Sequence, residues 1–148
     1  MIYVETTVLI IYTLARHSEV GRYTHVAKLF QHIDAEEVEA VTSFYALHEV
    51  FLFALRNAPD PATGAQAGKE ALLEILMTKI RLTPLLTREE RILHSRTFST
   101  LSDASDVSHA ISALLAGCDT IVSYDHHFDE IAPILPRYLP EEFASEIA

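Results

Sequence analysis

Four carboxylates stand where the surrounding chain favours apolar side chains. Glu5 follows the run Ile2-Tyr3-Val4, and Glu49 is the only acid between Ser43 and Leu55. Asp106 opens an amphipathic stretch, and Asp125 closes the run Thr120-Ile121-Val122-Ser123-Tyr124. An isolated buried carboxylate either costs several kcal/mol or takes up a proton, so such groups are normally paired or bound to a cation. Four of them at the edges of apolar elements imply one site for divalent metal. Two hard cations about 4 Å apart need several carboxylates converging from different elements, and such ions activate water against a phosphodiester.

Each acid also has a simpler explanation. Glu5 could cap a helix, since acids favour a first helical turn. Glu49 could pair with Arg56 or share a polar strip with His48. Asp106 could cap a helix together with Ser102, Asp103 or Ser105, and Asp103 could face the same way as Asp106. Asp125 could form a turn, and Asp129 could favour the start of a tail helix. It is the coincidence of four that favours a metal site. No Ser-His-Asp order, glycine-rich phosphate loop or paired-cysteine motif competes with it. His126-His127 could bind a transition metal, but adjacent histidines point apart on regular structure, which favours an exposed loop pair. Arg88, Arg91 and Arg96, with Lys79 and Arg81 nearby, form the densest basic cluster; it is either a solvated helix face or a set of phosphate contacts.

The elements that must position these groups alternate between strand and helix. Ile2–Val4 reads as a buried strand, with Thr6 and Thr7 able to cap a helix over roughly 8–17. A second helix is expected over 23–33 and a short strand over 38–42. Ser43 caps a helix through Arg56 whose apolar face includes Leu47, Val50 and Ala54. Two prolines in 57–63 mark a loop. A helix over 66–79 and a strand over 80–86 follow, with Pro84 pointing to an edge position or an early end of that strand. Thr87-Arg-Glu-Glu90 fits a capping box before a helix to about Phe98. Asp106 starts the most regular helix, which Gly117 ends. A strand over 120–124 and a short helix over 128–134 complete the pattern, with the tail broken by Pro133, Pro136 and Pro140.

This alternation predicts an α/β fold, with a mainly parallel sheet covered on both sides. Ligands bind such sheets beyond the carboxyl ends of the strands, where Glu5 and Asp125 would both lie. The 148 residues suffice for one domain, 1–148, with a full core. The net charge of −10 repels nucleic acid at long range, so any RNA contact must be local or come through a partner. Cys118 is the single cysteine, which fits a reducing cytoplasm. The apolar runs 8–15 and 44–55 are too short to cross a bilayer, so a soluble, cytoplasmic protein is expected.

At this point the chain resembles the PIN-domain ribonucleases, and among them the VapC-like toxins of toxin–antitoxin pairs, over nearly its whole length. Ile2-Tyr-Val-Glu-Thr-Thr-Val-Leu9 resembles the family's opening strand, acid and helix start. Thr42-Ser-Phe-Tyr-Ala-Leu-His-Glu49-Val resembles the second acidic motif, and Ser105-Asp106-Val-Ser-His-Ala110 the third. Ile121-Val-Ser-Tyr-Asp125-His-His-Phe128 resembles the closing strand with its Ser/Thr-x-Asp, and Leu139-Pro-Glu-Glu-Phe143 the common ending. The resemblance implies a three-layer α/β/α domain and a metal-dependent endoribonuclease. It carries the catalytic and metal-binding role to Glu5, Glu49, Asp106 and Asp125, with Ser123 and Thr6 behind them and Asp103 and Asp129 as further candidates. It also implies Mg²⁺ or Mn²⁺, an RNA substrate, a homodimer and a cognate antitoxin. The chain departs from the family at Glu5, where Asp is usual. The extra methylene moves the carboxylate by on the order of 1 Å, an error that can cost about 10²-fold in rate. That departure and the acidic surface motivate an alternative, a catalytically weak PIN-like module that binds RNA or protein. A phosphoacceptor receiver domain also gathers acids at strand ends, but would need a lysine after a late strand, and none follows Lys79.

Overall fold

The computed structural model describes residues 1–147. Its strands are β1 (Ile2–Val4), β2 (Ala40–Ser43), β3 (Arg81–Thr83), β4 (Thr120–Val122) and β5 (Arg137–Tyr138). Its helices are α1 (Thr6–Thr13), α2 (Val20–Asp34), α3 (Phe44–Arg56), α4 (Pro61–Leu76), α5 (Arg88–His94), α6 (Ala104–Leu115) and α7 (Pro140–Ile147), with a 3-10 helix over His126–Ile131. The strands form one sheet in the order β3-β2-β1-β4-β5, and every pairing is parallel.

Period-two alternation along β1 divides the core. Ile2 and Val4 enter a cluster with Val8, Leu9, Leu29, Val50 and Ile75, drawn from α1 to α4. Tyr3 enters the opposite cluster with Ile111 of α6, Phe98 and Phe128. Buried on both faces, the central strands β1 and β4 carry almost only apolar side chains, as a covered parallel sheet requires.

The chain moves from β1 outward to β2 and β3, then returns to place β4 on the other side of β1. The crevice between the carboxyl ends of β1 and β4 is therefore the topological switch point of the sheet. Glu5 lies one residue beyond β1 and Asp125 three residues beyond β4.

Several local expectations change. Helix α1 is capped by Glu5 itself, whose side chain accepts from the Thr7 amide, rather than by the threonines. Helix α4 begins at Pro61, with Asp60 as its cap, so the proline pair marks a helix start as well as a loop. Helix α6 begins two residues before Asp106 because Asp103 takes the cap. The tail holds a fifth strand, whose two residues are too few to show a periodicity. The Thr87–Glu90 capping box, the Ser43 cap and Pro84 just beyond edge strand β3 are as read from the sequence. Gly117 ends α6 at φ +78°, a left-handed conformation that favours glycine.

Candidate functional site

Glu5, Glu49, Asp103, Asp106 and Asp125 line one cleft of about 400 Å³, together with Arg56. They come from separate places: the start of α1, the middle of α3, the start of α6 and the segment after β4. Glu5 is 3% exposed and ties the two central strands together. Its Oε2 accepts from the Thr7 amide at 2.9 Å, the Thr7 hydroxyl at 2.7 Å and the Ser123 hydroxyl at 2.8 Å. Oε1 has no protein donor among the described residues. Capping and site-building are thus divided between the two oxygens of one carboxylate.

Glu49 is held from two sides. Thr6 Oγ1 donates to Oε2 at 2.9 Å, and His109 Nε2 lies 2.7 Å from Oε1. Burial opposes its charge, but the hydrogen bond and charge of His109 and the bond from Thr6 hold its pKa below the ordinary carboxylate value. His109 shows the reverse. Burial works against its protonation, yet Glu49, then Glu5 and Asp106, raise its pKa above the ordinary value. Its Nδ1 lies 2.7 Å from the Tyr3 hydroxyl, which lies 2.6 Å from Ser43 Oγ.

Asp106 is 8% exposed and accepts no hydrogen bond from any described residue. Burial, followed by the charges of Asp125 and Asp103, pushes its pKa up to about 6. Asp125 is fixed differently: its amide donates to Ser123 Oγ at 2.9 Å, and its Oδ1 accepts from the His127 amide at 3.0 Å. Oδ1 also lies 2.8 Å from His127 Nδ1.

The donor chemistry fits a divalent ion. Ligand atoms of Glu5, Glu49 and His109 lie within 4.8 Å of one another, as do those of Asp106, Asp125 and His127. Both ring nitrogens of His109 are already engaged, so in the first group the carboxylates are the available ligands. The observation that favours a cation is Asp106, a carboxylate on a largely buried residue that meets no protein donor among the described residues and faces only the cleft's solvent and two like charges, Asp125 and Asp103.

No family model matches the chain, and no curated protein sequence matches it. Solved structures do. VapC20 of Mycobacterium tuberculosis, described as a sarcin-ricin loop cleaving toxin, superposes with a TM-score of 0.65 at 16% identity, over 91% of this chain and 96% of that one. VapBC2 of Rickettsia felis, solved bound to a DNA fragment from its promoter, gives 0.64 at 16% identity, over 94% and 98%. The chain has the PIN-like fold of the VapC toxins.

On this VapC-like fold, the four acids singled out by sequence, and Asp103, share the cleft. Asp103 contributes mainly as the cap of α6: bonds from the Ser105 amide and hydroxyl hold its pKa low. Thr6 and Ser123 each bond one of the glutamates. Asp129 is not among the lining residues; it pairs with Arg137 at 2.9 and 3.1 Å, which lowers its pKa. Glu49 pairs with His109 rather than Arg56. Arg88, Arg91 and Arg96 do not line the cleft either. Arg91 instead donates to the Tyr45 hydroxyl at 2.6 Å.

Two residues gained importance only from the structure. His109 follows Asp106 by three positions, the spacing that puts two side chains on one helical face. It lies off the apolar stripe Val107, Ala110, Ile111, Leu114 and Leu115, so the spacing from Asp106 was its only signal in the sequence. Arg56 is the one basic side chain among the lining residues, and it forms no ion pair among the described residues. Nothing in its sequence context distinguishes it from an ordinary basic residue at a helix end.

Proposed function

We propose that this protein is a metal-dependent endoribonuclease that hydrolyses RNA phosphodiester bonds as the toxin of a toxin–antitoxin pair. The observation that carries this reading is the convergence of acids from four chain segments on the switch point of a parallel sheet, with Asp106 left uncompensated. The VapC structures support it through their shared fold.

In this reading Glu5, Glu49, Asp106 and Asp125 hold Mg²⁺ or Mn²⁺. The bound metal would supply an activated water and balance charge on the leaving oxygen. The chain's own residues do the positioning. Ser123 and Thr7 fix one oxygen of Glu5 and leave the other free. Thr6 and His109 set the orientation of Glu49. His127 stands beside Asp125 with its Nδ1 2.8 Å from Oδ1 and helps hold that carboxylate; the carboxylate oxygens suit Mg²⁺ and Mn²⁺ alike. Arg56 is placed to meet a phosphate at the cleft, where an acidic protein most needs a local cation. Arg88, Arg91 and Arg96 would contact the RNA farther along its backbone. We further propose a homodimer, a cytoplasmic setting and an antitoxin that covers the cleft. No helix among the described residues is long and apolar enough to cross a membrane.

The test is cleavage of a defined RNA panel with Mg²⁺, Mn²⁺ or chelator. Metal-dependent cuts that disappear in Glu49→Ala and Asp125→Ala, with the fold retained, are the expected result. Retained cleavage in both variants would overturn the assignment. Three hydrogen bonds draw Glu5 Oε2 into a cap, and this favours one competing reading, a PIN-like module that binds RNA or protein without cutting. Failure of the wild-type chain to bind Mn²⁺ at millimolar concentration would select it.

A further inference from the structure

We infer that His109 is a positioning residue for Glu49, and that it acts through a buried relay, Glu49–His109–Tyr3–Ser43, which also sets the start of the helix carrying Glu49. The inference rests on the metal-binding reading of the cleft.

The relay has no exposed member apart from its carboxylate end. Tyr3, Ser43 and His109 are each 0% exposed. The successive separations are 2.7 Å from Glu49 Oε1 to His109 Nε2, 2.7 Å from His109 Nδ1 to the Tyr3 hydroxyl, and 2.6 Å from that hydroxyl to Ser43 Oγ. Ser43 Oγ also accepts from the Ala46 amide at 3.2 Å as the cap of α3. Glu49 lies on that helix, six residues beyond the cap. One hydroxyl therefore takes part in fixing both the backbone that carries Glu49 and, through Tyr3 and His109, the direction of its carboxylate.

The placement follows from the fold. Tyr3 and Glu5 are two residues apart on extended chain, so both point to the same side of β1. Helix α6 packs on that side and brings His109 against Tyr3, the two rings lying 5.9 Å apart. Glu5, Glu49 and Asp106 are thereby referred to a single rigid junction of β1, β2, α3 and α6. A buried polar network with every member satisfied is rigid, because any rotation strands a donor or acceptor away from water. Groups behind a metal ligand that hold its orientation typically matter 10- to 100-fold in metal affinity.

A bland alternative exists: His109 could simply fill space between Tyr3 and Phe128. Two variants distinguish these roles. His109→Gln keeps an N–H near the Nε2 position and so retains a donor to Glu49. His109→Asn keeps a polar group near Nδ1, facing Tyr3, and loses the bond to Glu49. Mn²⁺ affinity is measured by calorimetry on the full chain, with circular dichroism and thermal melts in chelator reporting the fold. We expect His109→Gln to bind within about 3-fold of wild type and His109→Asn at least 10-fold more weakly. Equal affinity in His109→Asn and wild type, or equal weakening in both variants, would overturn the positioning role and leave the endoribonuclease reading untouched. If wild type itself fails to bind Mn²⁺, the reading of the cleft falls and this inference with it. Should His109→Asn not fold, Tyr3→Phe takes its place. It removes only the hydroxyl between His109 and Ser43, and unchanged Mn²⁺ affinity there would overturn the relay.

Discussion

Replacing Asp106 by Asn should stabilise the metal-free protein at neutral pH while destroying its capacity for metal. The magnitude follows from the carboxylate's setting. Its pKa rises from 3.8 to about 6, through burial and then through Asp125 and Asp103. Each pH unit of difference between folded and unfolded states is worth about 1.4 kcal/mol, which sets a ceiling of about 3 kcal/mol. Solvent on the cleft side screens part of this, leaving about 1–2 kcal/mol. The folded chain keeps this proton up to about pH 6, whereas the unfolded chain releases it near pH 3.8. Folded protein therefore binds more protons in that window, and stability falls as pH rises through it. Asp106→Asn carries no charge and escapes the loss. The assay is urea and thermal unfolding of both proteins in chelator at pH 4, 6 and 8. The two curves should nearly coincide at pH 4. At pH 8 the variant should gain about 1–2 kcal/mol, or roughly 2 to 8 °C in melting temperature for a chain of this size. Adding Mn²⁺ at about 100 times its dissociation constant should stabilise wild type by about 2.7 kcal/mol and leave the variant unmoved, which reverses their ranking. A variant no more stable than wild type at pH 8, or one whose advantage persists at pH 4, would refute the electrostatic argument.

Other outcomes follow from the same geometry. Asp129→Asn should leave RNA cleavage within about 2-fold of wild type, since Asp129 pairs with Arg137 outside the cleft; a loss approaching the roughly 10²-fold effect of a displaced catalytic group would return it to the site. Arg56→Ala should raise KM for RNA and reduce the salt slope of binding by about one phosphate contact, as read by titrations between low and moderate salt. Gly64→Ala should destabilise the protein, because its new Cβ would lie 2.9 Å from Leu55 Cα and 3.2 Å from the Ala54 carbonyl. Overpacking costs about 1–3 kcal/mol and outweighs the roughly 1 kcal/mol gained in helix propensity, a net loss that urea unfolding can measure. Cys118 should react with a thiol reagent only on unfolding, since burial, opposed in part by the N-terminal amine, pushes its pKa to about 11.

The sequence determined which residue types had to meet. A carboxylate after an apolar strand, or within an apolar helix, is costly wherever the chain folds. Glu5, Glu49, Asp106 and Asp125 could thus be singled out from local context alone. The strand–helix alternation fixed a parallel sheet, and the carboxyl-edge rule placed two of the four acids on one rim. Only the tertiary structure decided the partnerships. Asp129 stands outside the cleft's lining and pairs with Arg137, which is carried by β5, a strand too short to announce itself. Glu49 found His109 sixty residues away rather than Arg56 on its own helix. The oxygen of Glu5 that caps α1 is fixed further by Ser123, just beyond β4 and 118 residues away in the chain. Burial cost is a property of a residue and its neighbours in sequence. Its compensation is a matter of distance in space, and distances between remote segments exist only once the sheet has closed.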